Sequence, residues 1–352
     1  MILVVNAGSS SIKVELFDME LHSVLGGQVT EIGGDAHIKL GKLKTSCFAP
    51  DHQSAFNAIL QALEAQGHPP GNLMAAAHRI VHGGADMTAP TRLTAEILEQ
   101  IEAFNTLAPL HNPHNLSAIY ALASLAPDLP QYGSFDTAFH ADNDALATTY
   151  AIPQSERDKG IRRYGFHGLS YASLVENMGP NVPHRLLAFH LGNGSSLCAI
   201  KDGKSVANSM GYSPLDGLVM GTRPGEIDGM AVLRMAQEHG LEGATRLLNK
   251  ESGLRGVGGT NDMATLLATD TPVARFAVDH YCYWAARQAG SAIVAMGGVD
   301  AVAFTGGIGE NAASVRDMIM QNLSFLGPLP MHVIPADEER QIARDAMTLI
   351  NA

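Results

Sequence analysis

Apolar positions open the chain as a short run, Ile2-Leu3-Val4-Val5, give way to the polar stretch Asn6-Ala7-Gly8-Ser9-Ser10-Ser11, and resume in alternation at Ile12, Val14 and Leu16. A continuous apolar run followed by a period of two predicts strand, tight turn, strand. Helical periodicity follows at about 52–66 and 94–104, with a short buried strand near Met74 to Val81 between them. Strands interleaved with helices make a mixed α/β protein.

A weak internal repeat appears when the chain is slid by 186 positions, so that Gly8-Ser9-Ser10 falls on Gly194-Ser195-Ser196. The second copy runs from the apolar Leu186 to Phe189 through His190-Leu191-Gly192-Asn193-Gly194 and on to Leu197–Ile200, and turns at Asp202-Gly203. Two similar halves facing a shared cleft would explain the repeat. A third glycine loop, Thr305-Gly306-Gly307-Ile308-Gly309-Glu310-Asn311, follows the apolar Ala301–Phe304 and leads into a helical pattern at 312–323. The division falls near 138–150, giving a first domain of residues 1–138 and a second of 139–337. The amphipathic pattern Glu338–Ile350 packs back on the first domain as a closing helix, 338–352.

Length agrees with two domains, since 352 residues exceed one ordinary core of roughly 150–200 residues. The net charge of −12 argues against nucleic acid, whose backbone needs a basic face. An anionic ligand would have to be held locally by Arg, Lys, His and backbone N–H groups. Cys47, Cys198 and Cys282 are scattered and odd in number, which fits a reducing cytoplasm better than a disulfide framework or a thiolate zinc site. Ile2–Val5 is too short for a signal-peptide core, and Ala289–Phe304 is interrupted by glycine and aspartate, so no membrane span is expected.

Gly and Ser in a turn between strands expose backbone N–H groups and let a phosphate approach closely. Three such loops suggest a polyphosphate, and strand, Gly-rich turn and helix start in succession suit a nucleotide. Gly203-Lys204-Ser205 imitates the end of a P-loop, but Cys198 stands where its first glycine belongs, and Asp202-Gly203 reads as a hairpin turn. No glycine fingerprint of a dinucleotide fold opens a helix after a first strand.

The candidate charged groups sit beside glycines. Arg79, in His78-Arg79-Ile80-Val81-His82-Gly83-Gly84, ends a buried strand, where it faces either an anion or plain solvent. His167 lies in Tyr164-Gly165-Phe166-His167-Gly168 and Arg223 in Gly221-Thr222-Arg223-Pro224-Gly225. Flanking glycines permit close approach, and apolar neighbours strengthen a fixed cation by excluding water. Asp136, in Ser134-Phe135-Asp136-Thr137-Ala138-Phe139-His140, could act as a base, orient a cation or cap a helix. Asp337-Glu338-Glu339 could cap the last helix or offer an oxygen to magnesium. His111 and His114 have a metal-like spacing, but Pro113 between them is expected to break the helix that would align them.

Taken together, NAGSSSIK, HRIVHGG, PLHNPHN, FDTAFH, RRYGFHG, HLGNGSS, GTRPGEID, GGIGEN and VIPADEE resemble the acetate kinase family, in family order and over nearly the whole chain. The resemblance implies a two-domain actin-like α/β fold (duplicated, ribonuclease H-like) of the sugar kinase type, working as a homodimer with its site in the interdomain cleft. It implies ATP or ADP as co-substrate, Mg2+ or Mn2+ as the metal, and a small carboxylic acid as acceptor. On the matching positions, Asp136, His167 and Arg223 look catalytic, while Arg79, Val81, Leu110, Phe166 and Pro214 look like the acid site. Ser9, Ser11 and Lys13 match the first phosphate loop. His190, Gly192, Asn193 and Gly194 match the second, and Asp262, Gly307, Ile308 and Asn311 match the nucleotide site. Asn6 and Glu338 match positions that handle the metal and its waters.

The chain departs from the family pattern in two places. Asn261-Asp262-Met263-Ala264 stands where the family usually has an Asp-Phe-Arg stretch, and residues are missing between the first strands and His111. A propionate or butyrate kinase, a member with another phosphoryl donor, and an actin-like nucleotide-gated interaction module are the alternatives to acetate kinase. One methylene discriminates among such acids by only about 1–3 kcal/mol.

Overall fold

In a computed structural model that describes residues 1–108 and 111–352, the chain forms two compact units, 1–138 with 337–352, and 139–336. The first is built on the strands β1 (Ile2–Ala7), β2 (Ser11–Phe17), β3 (Ser23–Thr30), β4 (His37–Leu40), β5 (Leu43–Ser46), β6 (Ala75–Ile80), β7 (Thr91–Arg92) and β8 (Gln131–Phe135). They lie in one sheet in the order β5-β4-β3-β2-β1-β6-β8-β7. Pairing is antiparallel from β5 to β1 and parallel through β1, β6 and β8. Central parallel strands must be apolar on both faces, and β1 and β6 are buried almost throughout.

The two faces of this sheet separate the side chains by parity. Ile80 faces the helices Ala95–Ala103 and Asn112–Leu125, packing with Leu98, Ile101, Leu116 and Ile119. Its neighbour Arg79 turns the other way, toward the helix Glu338–Ile350, whose Ile342, Ala343 and Ala346 are buried. That helix also receives a hydrogen bond from β8, Ser134 Oγ donating to Asp345 at 2.8 Å. The helix His52–Ala65 is started by Asp51, which accepts from Ser54 N at 2.7 Å.

The second unit adds β9 (Arg185–Leu191), β10 (Ser195–Lys201), β11 (Lys204–Asn208), β12 (Ala301–Thr305) and β13 (Met331–Val333), in the order β11-β10-β9-β12-β13. Alternate residues of β9 again serve two layers. Leu187, Phe189 and Leu191 pack with the long helix Pro272–Met296, and Leu186 and Ala188 pack with Tyr171 and Leu174 of the helix Gly168–Met178. Phe189 stacks on Phe304 of β12 with centroids 5.1 Å apart.

The strand, turn, strand expected at the start is present, and so is its counterpart at β9–β10. The two hairpins do not match letter for letter, because Ser195 and Ser196 already lie in β10 and the second turn is Gly192-Asn193-Gly194. Asp202 and Gly203 have φ of 52° and 76°, the paired positive values that a two-residue hairpin turn requires. The third glycine segment is helical from Gly306 to Asn311 rather than an open loop. Pro113 does not break a helix: it occupies the first turn of Asn112–Leu125, where its missing N–H costs nothing.

Candidate active site

In the first unit, candidate residues gather where the parallel strands end, the edge at which such sheets bind ligands. Arg79 closes on Asp136, its Nε donating to both carboxylate oxygens at 3.1 Å and its Nη2 to Oδ2 at 2.6 Å. Its Nη1 points to Asn6 Oδ1 at 3.5 Å, and Glu338 Oε2 lies 3.9 Å from Nε. Burial works against the Arg79 charge, but Asp136 first and Glu338 next outweigh it and hold the guanidinium well above its ordinary range. Burial likewise pushes the Asp136 carboxyl up, and the arginine pulls against that shift.

The loop after β6 is fixed by a pair of asparagines that the sequence did not mark as functional. Asn115 accepts from Val81 N at 3.1 Å and donates to Ala7 O at 2.8 Å. Asn112 accepts from His82 N at 3.1 Å and donates to His82 O at 2.9 Å. They stand three apart on one helix, so a single face clamps the ends of β1 and β6 together. Both letters lie within PLHNPHN, which was the available signal.

Around the first hairpin, Ser9 is exposed, Ser11 opens β2, and Gly8 N donates to Ser11 O at 2.8 Å. Lys13 meets Glu339 at 2.6 Å. Val81 is half-buried, and Leu110 lies outside the described residues.

In the second unit, His167 adopts the left-handed backbone region, φ 58°, at the start of the helix Gly168–Met178. Such a conformation in a non-glycine residue is uncommon and marks a position held by its surroundings. Its Nδ1 lies 2.9 Å from Ser196 Oγ, and its ring tilts against His190 with centroids 4.2 Å apart. His190 Nδ1 is 2.7 Å from Ser170 Oγ. Both imidazoles are thereby pinned by serines.

Arg223 approaches the same place. A Cβ on Gly194 would sit 3.1 Å from Arg223 Nη2 and 3.2 Å from His167 Nε2, so the absence of a side chain there admits both groups to the turn. Arg223 Nη1 donates to Pro214 O at 2.6 Å, and among the described residues no carboxylate forms an ion pair with it. Burial alone lowers its pKa. A desolvated guanidinium without a counter-charge favours an incoming anion. Phe166, which precedes His167 in the sequence, is fully buried, its carbonyl receiving His140 Nε2 at 3.0 Å and Asn208 Nδ2 at 3.3 Å.

The turn also forms the rim of a cavity of about 390 Å³ within this unit, lined by Gly192, Asn193, Asn261, Asp262, Met263, Ala264, Leu267, Gly307, Ile308, Asn311 and Ala312. Its walls are apolar and its rim carries amides, the usual make-up of a small-molecule site. Asn261 Nδ2 donates to Asn193 Oδ1 at 3.2 Å, and Arg255 Nη2 reaches Asn261 Oδ1 at 3.3 Å. Asn311 Nδ2 donates to Gly307 O at 2.8 Å. Asp262 turns its carboxylate into its own helix, accepting from Thr265 Oγ1 at 2.5 Å, Thr265 N at 3.1 Å and Ala264 N at 3.2 Å. These bonds, Thr265 foremost, hold its pKa below the ordinary carboxylate range.

A profile of the acetokinase family matches residues 1–349. The acetate kinase of Rhodopseudomonas palustris is 42% identical over 347 residues, spanning 93% of this chain and 87% of that protein. Among solved structures, a propionate kinase from Francisella tularensis has a TM-score of 0.93 at 34% identity, covering 98% of both chains. An acetate kinase from Porphyromonas gingivalis has a TM-score of 0.90 at 33% identity, covering 99% of both.

Proposed function

Because the chain belongs to the acetokinase family, we propose that it transfers the γ-phosphoryl of ATP to acetate, reversibly, giving acetyl phosphate and ADP. The observation that carries this reading is Arg223, a part-buried cation with no carboxylate partner among the described residues, meeting His167 Nε2 at Gly194 on the rim of the cavity. Phosphoryl transfer needs positioning and charge stabilisation rather than a protein nucleophile. Here a carboxylate oxygen of the acid attacks the γ-phosphorus in line, and the bond from phosphorus to the bridging oxygen of ADP breaks. The electron pair leaves with ADP.

Arg223 would neutralise charge on the equatorial oxygens of the transferring group and His167 would donate a hydrogen bond to one of them, with Arg79 binding the acid's carboxylate. Carboxylic acids are ionised at neutral pH, so no general base is required, and Asp136 serves to aim Arg79. Val81, Leu110, Phe166 and Pro214 are proposed to bound the acid's apolar end. The second hairpin turn, with His190, and the cavity beyond it would take the polyphosphate and base, and Ser9, Ser11 and Lys13 would contact phosphate.

Among the described residues no group of three His, Cys, Asp or Glu side chains could hold a metal ion. Magnesium, however, usually keeps several waters and is bound through one or two oxygens plus substrate phosphates. Asn6 Oδ1 and the Glu338 carboxylate, 3.5 Å and 3.9 Å from Arg79, fit that mode of binding. Asn6 and Glu338 would hold such an ion, which would supply positive charge against the developing phosphate charge.

Similarity to the propionate kinase of Francisella tularensis makes propionate a second candidate acid. Acyl hydroxamate formation with ATP and acetate, propionate or butyrate tests both readings: acetate is expected to give the highest kcat/KM, and turnover of none of the three would sink the function. The three free cysteines suit a cytoplasmic setting. A homodimer is proposed through the exposed Met230, Leu233, Leu241, Phe276, Tyr283 and Val294 of two helices of the second unit, apolar side chains that a second copy could cover. Light scattering at the monomer mass would refute it.

A further inference from the structure

The side chain behind His167 belongs to a chain of hydrogen bonds, Tyr171 to Ser196 to His167, whose direction follows from the need of a buried phenol to donate. Tyr171 is fully buried, and its hydroxyl lies 2.6 Å from Ser196 Oγ. Among the described residues Ser196 is the one side chain that hydrogen-bonds to this phenol. A buried phenol proton left without an acceptor is costly, so it goes to Ser196 Oγ. Once Ser196 accepts from Tyr171, its own proton points to its remaining partner, His167 Nδ1, at 2.9 Å. A histidine that accepts at Nδ1 carries its proton on Nε2 when neutral.

We infer that Tyr171 and Ser196 are positioning residues that fix His167 in the Nε2–H tautomer and present a neutral hydrogen-bond donor, beside Arg223, to an oxygen of the transferring phosphoryl group. Nε2 is the atom that lies against Gly194, so the donor stands at the turn without requiring an imidazolium. Tyr171 does not touch substrate; it acts through Ser196. The inference rests on the phosphotransfer reading for its catalytic consequence, and its tautomer claim stands independently of that reading.

The experiment uses protein labelled with 15N-histidine at pH 8, with the His167 resonances identified by their loss in His167→Gln. The expected result is an acceptor-type, pyridine-like Nδ1 and a pyrrole-like Nε2 in the unaltered protein. In Tyr171→Phe, Ser196 is free to accept, so the two nitrogens should move toward averaged positions. The same variant should lower kcat about tenfold with KM for acetate unchanged, less than the roughly 10²–10³-fold lost when a preorganised donor is removed outright. A pyrrole-like Nδ1 in the unaltered protein overturns the inference, as does a Tyr171→Phe enzyme with kcat within twofold of the parent. Failure to phosphorylate any short acid would sink the function instead, leaving the resonances as the measure of the tautomer.

Discussion

Arg79 and Asp136 form a closed fork: two guanidinium nitrogens grip one carboxylate, with Nη2 to Oδ2 at 2.6 Å, and leave Nη1 directed away from it toward Asn6. A guanidinium has five N–H donors in fixed geometry. With Nε and Nη2 committed to a buried carboxylate, the direction of the remaining donors is set before any substrate arrives. Arg223 is built in the opposite way, with a carbonyl in place of a carboxylate. The first arginine is aimed and the second is left hungry for an anion.

Asp136→Asn keeps the shape and removes the charge, so Arg79 stays in place but loses its strongest partner. The turnover number should fall roughly 10²-fold, the order expected when a binding group is misplaced by about an ångström. Asp136→Ala should in addition lower stability, because it strands a part-buried cation beside Glu338 alone. Urea denaturation and hydroxamate rates separate the two effects. A fully active Asp136→Asn would show that the carboxylate does not orient Arg79 for catalysis.

For Arg223 the expectation is reversed. Arg223→Ala removes a desolvated charge with no ion pair among the described residues, so the urea midpoint should hold or rise. Activity should drop by about 10³-fold or more, as on loss of an arginine that stabilises phosphoryl transfer. Retention of activity within tenfold would remove Arg223 from the mechanism.

Local pattern exposed some of this and concealed the rest for a physical reason. β1, β2 and the Asp202-Gly203 turn were legible because periodicity and turn chemistry act between near neighbours. Arg79, His167 and Arg223 stood out by their glycine neighbours, each alone. Their partners did not: Asp136 is 57 residues from Arg79 and Ser196 is 29 from His167, and pairings over such distances are decided by sheet order. Pro113 misled because a proline forbidden inside a helix is favoured in its first turn, and only the boundary at Asn112 distinguishes the two.

Gly194 supplies a test that changes no charged group. Its added Cβ would lie 3.1 Å from Arg223 Nη2 and 3.2 Å from His167 Nε2, so one of them must give by a few tenths of an ångström. Gly194→Ala should therefore fold normally and lose about tenfold in kcat. Equal kcat in the two proteins would show that neither group needs its present approach to the turn.

Acid should weaken the fold through buried histidines that have no catalytic or binding role in the proposed reaction. His78 and His140 are buried, and burial holds each down to about 4 from the ordinary 6.5. His140 has Nδ1 2.7 Å from Ser205 Oγ and Nε2 3.0 Å from Phe166 O. Between pH 6.5 and 4 the unfolded chain binds more protons than the folded one. The contribution is thus fully present above 6.5 and is lost as pH falls, at about 1.4 kcal/mol per pH unit for each histidine. Urea midpoints at pH 7, 6 and 5, followed by the single tryptophan Trp284 in the unit that holds His140, should decline in that order. His140→Gln should be less stable at pH 7 yet decline less steeply, by one histidine's share. Parallel declines in the two proteins would place the acid sensitivity elsewhere.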